Sequence, residues 1–321
     1  MDKRIDSFRK QVNNALLPLI DGDYVLLDVP NHGNIGDNLI WEGEMAFLKQ
    51  CNHICLYSAN VFNWDESLIK DASVILFHGG GNWGDLYRVC QDHRMYVTSK
   101  YLDKRIIVFP QSVWYNDESL LLADCQIVNH HPNITVCLRD KFSYDILSRY
   151  IDHSKLLLIP DMAFFVNIPP INYKTNRVLF LDRTDKERRL IKNYPKGFDV
   201  KDWPTYPTNR FLYNIWHFIF CLKQVLSIKL QKTSITSWLV DPEYGINRRG
   251  GRQRYVKKGV KFFSKYNSIY TTRLHGLILG VIMGKQVYIV DNKYNKCKNF
   301  YDTWLADFSN VHIFDETINE L

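Results

Sequence analysis

Short unbroken apolar runs recur along this chain. Each leads at once into a polar, often Gly-, Asn- or Asp-bearing loop, and several are followed by a helix-length segment. In the first half the runs are 24–29, 54–58, 73–78, 105–112, 135–139 and 155–161. They are continuous rather than alternating, as strands buried on both faces of a parallel sheet are. Segments 35–49, 117–129 and 142–150 are long enough to be crossover helices between them,. The rhythm breaks at 167–176, NIPPINYKTN, which reads as a linker,. It resumes with strands at 177–182, 235–240, 268–272 and 286–291 and helices at 211–230, 252–265 and 275–283. The stretch 192–209, with three prolines, reads as an irregular loop. The expected fold is α/β, with two Rossmann-like lobes, 1–170 and 171–321, and a central cleft. Ligands of such sheets sit at the carboxyl ends of the strands.

Charge separates the two halves. Residues 1–170 hold 15 Lys+Arg against 21 Asp+Glu, a net of −6; residues 171–321 hold 26 against 13, a net of +13. A basic half suits an anionic small molecule, nucleic acid or an acidic membrane surface. No apolar run approaches the roughly 20 residues of a membrane-spanning helix, and the charged start leads into no signal-type segment,. The seven cysteines form no CxxC pair. That argues against a disulfide framework or a zinc ribbon and for a reducing, cytoplasmic setting.

Three loops carry chemistry. Asn31-His32-Gly33-Asn34-Ile35-Gly36-Asp37-Asn38 joins a strand to a helix. Asp37 is placed to cap that helix, and His32 and Asn34 offer partners for sugar hydroxyls. His78-Gly79-Gly80-Gly81-Asn82-Trp83-Gly84-Asp85 also follows a strand. Successive N–H groups at Gly79, Gly80 and Gly81 can form an anion-binding nest, and Trp83 can offer a stacking face beside Asn82. The loop lacks the Gly-Lys-Ser/Thr of a P-loop and a clear ribose-binding acid downstream,. Thr271-Thr272-Arg273-Leu274-His275-Gly276 brings a permanent cation and a proton-transferring imidazole to a helix N-terminus, where anions are favoured,. Arg139 and Arg183 also follow strands, each beside an aspartate, Asp140 or Asp182, that is a ready surface ion-pair partner. Eight cations lie between Arg248 and Lys265. The sequence has no HExxH, DxD or Cys/His cluster, so no metal is expected,.

Together these segments resemble the polysaccharide pyruvyl transferase family from about Gly22 to Trp304. The matches are Gly33–Asp37, His78–Asn82, Leu138-Arg139-Asp140 with Ser143, Thr272–Gly276, and Val290–Lys296 followed by Phe300-Tyr301. The resemblance implies two lobes similar to the GT-B glycosyltransferase fold. It also implies transfer of a pyruvyl group from phosphoenolpyruvate to two hydroxyls of a sugar, giving a cyclic ketal in polysaccharide biosynthesis. In that scheme His275 is the acid and Asp37 the base. Arg273, with Arg139 or Arg183, and Gly79–Gly81 bind the donor; His32, Asn34, Asn82 and Trp83 bind the acceptor. Phosphoenolpyruvate is a co-substrate and no further cofactor is called for. The partner is a sugar or lipid-linked oligosaccharide; nucleic acid is not expected, and the basic half allows peripheral contact with an anionic membrane. Two other readings stay open: a GT-B-type nucleotide-sugar glycosyltransferase, and a non-enzymatic polyanion- or glycan-binding protein.

Overall fold

The computed structural model describes residues 3–205, apart from 63, 170–174, 186 and 192, and then 251–314; between these it describes 215, 218, 219 and 222 alone. The strand expected at 235–240 and most of the helix expected at 211–230 lie outside the described residues.

The chain is an α/β protein with two wholly parallel sheets, one of seven strands and one of five. After helix α1 (Lys3–Leu16) come β1 (Tyr24–Leu27), α2 (Ile35–Leu48), β2 (Cys55–Ala59), β3 (Val74–Phe77) and β4 (Gly80–Gly84). They are followed by α3 (Arg88–Lys100), β5 (Arg105–Trp114), α4 (Glu118–His130), β6 (Ile134–Leu138), α5 (Lys141–Leu147) and β7 (Leu156–Leu158). These strands order as β2-β1-β3-β5-β6-β7, with β4 paired to the far end of β5. The second sheet holds β8 (Val178–Leu181), β9 (Asp199–Lys201), β10 (Ser268–Thr271), β11 (Gln286–Ile289) and β12 (Val311–Ile313), ordered β12-β11-β10-β8-β9. Helices α6 (Gly251–Phe263), α7 (Leu274–Ile282) and α8 (Lys296–Phe300) belong to this part of the chain.

The continuous runs became strands for the expected reason: β1 and β3 are buried at every residue. The sequence pattern missed α1, α3, α8 and three strands. Segment 192–209 is not wholly irregular, because Asp199–Lys201 forms the edge strand β9 on β8. One core cluster unites the two sequence halves. Ile5 of α1 and Ile35 and Leu39 of α2 are buried with Leu181, Phe263, Leu277 and Phe300, and Phe8 packs against the same cluster.

Strand order marks the switch points, where ligands of open α/β sheets commonly bind. From β1 the chain moves to β2 on one side and then to β3 on the other. From β8 it moves to β9 and then, across the sheet, to β10. Such switch points open crevices at strand carboxyl ends. The loops after β1 and β3 hold Asn34 and His78, with Asp37 in the first turn of α2; those after β8 and β10 hold Arg183 and Arg273.

Candidate active site

Helix α2 begins with Asn34 as its cap, its side-chain oxygen accepting from Gly36 N–H at 3.1 Å. Asp37 is therefore not the cap that the sequence offered. It stands one turn inside, where its carboxylate accepts from Asn34 Nδ2 at 2.7 Å and faces His32 Nε2 at 3.6 Å. His32 Nδ1 accepts the Asn34 N–H at 3.4 Å, which leaves the proton of a neutral ring on Nε2, toward Asp37,.

The glycine loop departs from the expected nest. Gly79 N–H donates to the buried Glu44 carboxylate of α2 at 2.8 Å, and the other Glu44 oxygen meets His78 Nδ1 at 2.8 Å. Gly80 to Gly84 then form strand β4. One N–H of the nest is thus already bonded, to an acid that would repel a donor anion. Burial works to lower the His78 pKa, but the Glu44 carboxylate outweighs it and the imidazole is held above its ordinary value. Trp83 is 1% exposed, in the core of the first sheet, and presents no open stacking face. Asn82 lends its side-chain oxygen to Arg94 at 3.0 Å.

Gly81 has a different role. A Cβ there would lie 3.1 Å from Arg139 Nη2 and 3.1 Å from Lys296 Nζ, so the bare glycine leaves the space on which two cations converge. Arg139 follows β6 of the first sheet, and Lys296 opens α8 after β11 of the second. Arg139, 2% exposed, does not pair with its neighbour Asp140, which instead caps α5 through Ser143 N–H. Its Nη1 donates to Asp161 at 2.8 Å and its Nε to Ser112 at 2.9 Å, while Nη2 makes no hydrogen bond among the described residues. His275, in the first turn of α7, completes this corner: its Nε2 is 3.4 Å from both Asp161 Oδ2 and Arg139 Nη1. Its ring packs on Gly36, where a Cβ would stand 2.9 Å from Nδ1. Burial would raise the Asp161 pKa, but His275 and Arg139 hold the carboxyl well below the usual range.

The other arginines stand behind Lys296. Arg183 is not paired with Asp182, which instead binds Arg188 and Tyr194. It forks onto Asp185 at 2.8 and 3.0 Å and donates to Glu187 at 2.8 Å. Arg273 grips Asp202 through Nε and Nη2, at 2.5 and 2.7 Å, and reaches Asp185 at 3.1 Å. Lys296 Nζ donates to the same Glu187 oxygen at 3.0 Å. Burial favours a protonated Glu187, yet Lys296 and Arg183 pull its pKa down to about 2. Burial in turn lowers the Lys296 ammonium.

The structure therefore brings Arg139, His275 and Gly36 together, with Gly81 and Lys296 beside them. Arg183 and Arg273 adjoin through Asp185, and His32, Asn34 and Asp37 form a separate cluster at the start of α2. Sequence reasoning missed Lys296, Asp161 and Glu187. The signal for Lys296 was its place in the Val290–Lys296 match; in the structure Asp291 and Asn295 shape this turn with left-handed φ of 71° and 54°, and Asn292 and Asp291 accept its backbone N–H groups. No described helix is long and apolar enough to cross a membrane.

A family profile described as polysaccharide pyruvyl transferase matches residues 34–294. Among curated relatives, EpsO of Bacillus subtilis, provisionally named as a pyruvyl transferase, is 28% identical over 312 residues, covering 92% of this chain and 90% of that protein. Pyruvyl transferase 1 of Schizosaccharomyces pombe is 30% identical over 302 residues, covering 87% and 69%. A crystal structure of an uncharacterized Klebsiella pneumoniae protein superposes with a TM-score of 0.56 at 16% identity, covering 96% of this chain and 98% of that one. That likeness concerns the fold alone.

Proposed function

The chain belongs to the polysaccharide pyruvyl transferase family, and from that premise we propose that it moves the pyruvyl group of phosphoenolpyruvate onto two hydroxyls of a sugar as a cyclic ketal. We place the reaction in a cleft between two Rossmann-like lobes of GT-B type. Residues 1–170 serve the acceptor and 171–321 the donor, with Arg139 crossing over to the donor. The observation that carries this reading is the convergence of Arg139 and Lys296, from different sheets, on the space above Gly81, with His275 at its edge.

Phosphoenolpyruvate sets a phosphate and a carboxylate close together, so its site needs several cations. Lys296 has N–H bonds to spare beyond Glu187, and Arg139 Nη2 is open. These two groups take the donor anions, while Arg183 and Arg273 fix the acids behind them. His275, held between Asp161 and Arg139, gives a proton to C3 of the enol, and cationic character develops at C2,. A sugar hydroxyl adds to C2 as its proton passes to a base. The C2–O bond to phosphate breaks, phosphate leaves with the bonding pair, and a second hydroxyl adds with loss of its proton. Asp37, oriented by Asn34 and beside His32, is the base. Balance is kept: one phosphoenolpyruvate and one diol give one ketal and one inorganic phosphate.

Incubation with phosphoenolpyruvate and a panel of glycosides tests the reading. Phosphate release matched by a ketal product on mass analysis is expected. Thermal stabilisation by a nucleoside diphosphate, and none by phosphoenolpyruvate, would replace it with the glycosyltransferase reading.

A further inference from the structure

Helix α6 has a face of one charge sign. Arg254, Lys257, Lys258 and Lys261 are all exposed, at spacings of three and four residues that put them on adjoining rows of the helix,. The segment Gly251–Phe263 contains no Asp or Glu. Among the described residues, Arg252 is the one cation of this segment in an ion pair, with Glu42 of α2. A solvated helix face normally intersperses both signs, because like charges three or four residues apart destabilise it. Among the described residues, no acid pairs with Arg254, Lys257, Lys258 or Lys261 to relieve that repulsion.

Its position ties it to the candidate site. The Tyr255 ring lies over Gly33, 3.3 Å from where a side chain there would begin, so α6 borders the loop of His32 and Asn34. Arg254 and Lys258 flank that same ring, 5.6 and 5.8 Å from its centre. Four residues from the stretch before α6, Ile215, Phe218, Ile219 and Leu222, are exposed apolar side chains at helical spacing, Phe218 at 69%. They contrast with the amphipathic burial that a core helix would give them.

We propose that the α6 face is a docking surface for an anionic lipid bilayer, which it approaches peripherally with the Gly33 loop beside it. The charge is complementary to acidic headgroups. Arg254 to Lys261 spans about 10 Å along the helix, so its four cations can meet several headgroups at once. The exposed apolar quartet gives a bilayer a contact that a nucleic acid would not use. The inference rests on charge and exposure and stands apart from the transfer reaction.

Co-sedimentation of the full chain tests it, with vesicles of phosphatidylglycerol mixed into phosphatidylcholine against vesicles of phosphatidylcholine alone. Binding to the anionic vesicles alone, reversed by salt, is expected. Replacing Lys257 and Lys261 by Ala should weaken it about 30-fold. That variant should keep its melting temperature, and its turnover on a soluble glycoside should stay unchanged. No sedimentation with anionic vesicles at low salt, an undiminished double variant, or tighter binding to transfer RNA than to vesicles at the same salt would each overturn the proposal.

Discussion

Replacing Lys296 by Met separates the two tasks that the structure gives this residue. Its ammonium is nearly buried, about 10% exposed, and bonds Glu187 at 3.0 Å, so solvent screens it little. If it also holds a donor anion, its removal takes away a charge-assisted hydrogen bond. Such bonds contribute roughly 1.5–3 kcal/mol, or about 10–100-fold in affinity for phosphoenolpyruvate. Stability changes by a separate route. The Glu187 pKa is about 2 in the fold against 4.5 for an ordinary glutamate, which stabilises the protein by roughly 3 kcal/mol at neutral pH. Because the folded value is depressed, that stability is present above about pH 4.5 and is lost as pH falls toward 2,. Lys296 and Arg183 share the effect, and relief of the cost of burying Lys296 returns part of it. The net loss should be on the order of 1 kcal/mol, with acid unfolding beginning at a higher pH. Donor titration by calorimetry and urea midpoints at neutral and acid pH read the two effects independently. Unchanged affinity for phosphoenolpyruvate with unchanged kcat would refute a donor role for Lys296, even if stability fell as expected.

Gly81→Ala should raise the KM for phosphoenolpyruvate about 10–100-fold, since its methyl enters the space between two cations whose acids restrict their retreat,; initial rates against donor concentration check this. His275→Ala should fold normally and lose roughly 10²–10⁴ in turnover while still binding the donor; full activity or failure to fold would remove it as the acid. Glu44→Gln should cost on the order of 1–2 kcal/mol, measured by denaturant unfolding at several pH values. Since His78 is raised in the fold, its stabilisation is complete below its unfolded pKa and disappears as pH rises through the folded one,. Wild type and variant should therefore differ most in mild acid and converge in alkali.

The pattern that revealed the fold is the pattern that burial imposes. Strands covered on both faces must be apolar throughout, so β1, β3, β5, β6 and β8 stood out,; β10 and β11, buried at alternate residues, were legible from the resumed strand–helix rhythm instead. Those missed had no such constraint to obey. Strand β4 is Gly-Gly-Asn-Trp-Gly, and β9 and β12 are three-residue edge strands. Helix α3 hid its inner face because that face is polar: Gln91, His93, Arg94 and Thr98 are buried, with Arg94 and His93 held by Asp28. The arginines of the site were legible from one rule, that functional groups gather at strand carboxyl ends. Their partners were not, because Asp161, Asp202 and Glu187 reach them from segments 22, 71 and 4 residues distant. Adjacency in sequence favoured Asp140 and Asp182 instead, and those acids serve a helix cap and another arginine.

That partnering changes what the cluster can do with an anion. Four buried cations with no counter-charge would strongly destabilise the empty fold. Here Arg139, Lys296, Arg183 and Arg273 are matched by Asp161, Glu187, Asp185 and Asp202. The paired cluster is close to neutral, so under the proposed function it would not attract phosphoenolpyruvate by bulk charge. On that proposal attraction would come from N–H groups left over once the acids are served, such as those of Lys296 Nζ and Arg139 Nη2 over Gly81. Selectivity then resides in geometry: an anion binds well only if two of its oxygens meet both groups at once. Lengthening one side chain or filling Gly81 with a methyl should therefore harm donor binding more than adding a distant surface cation could repair.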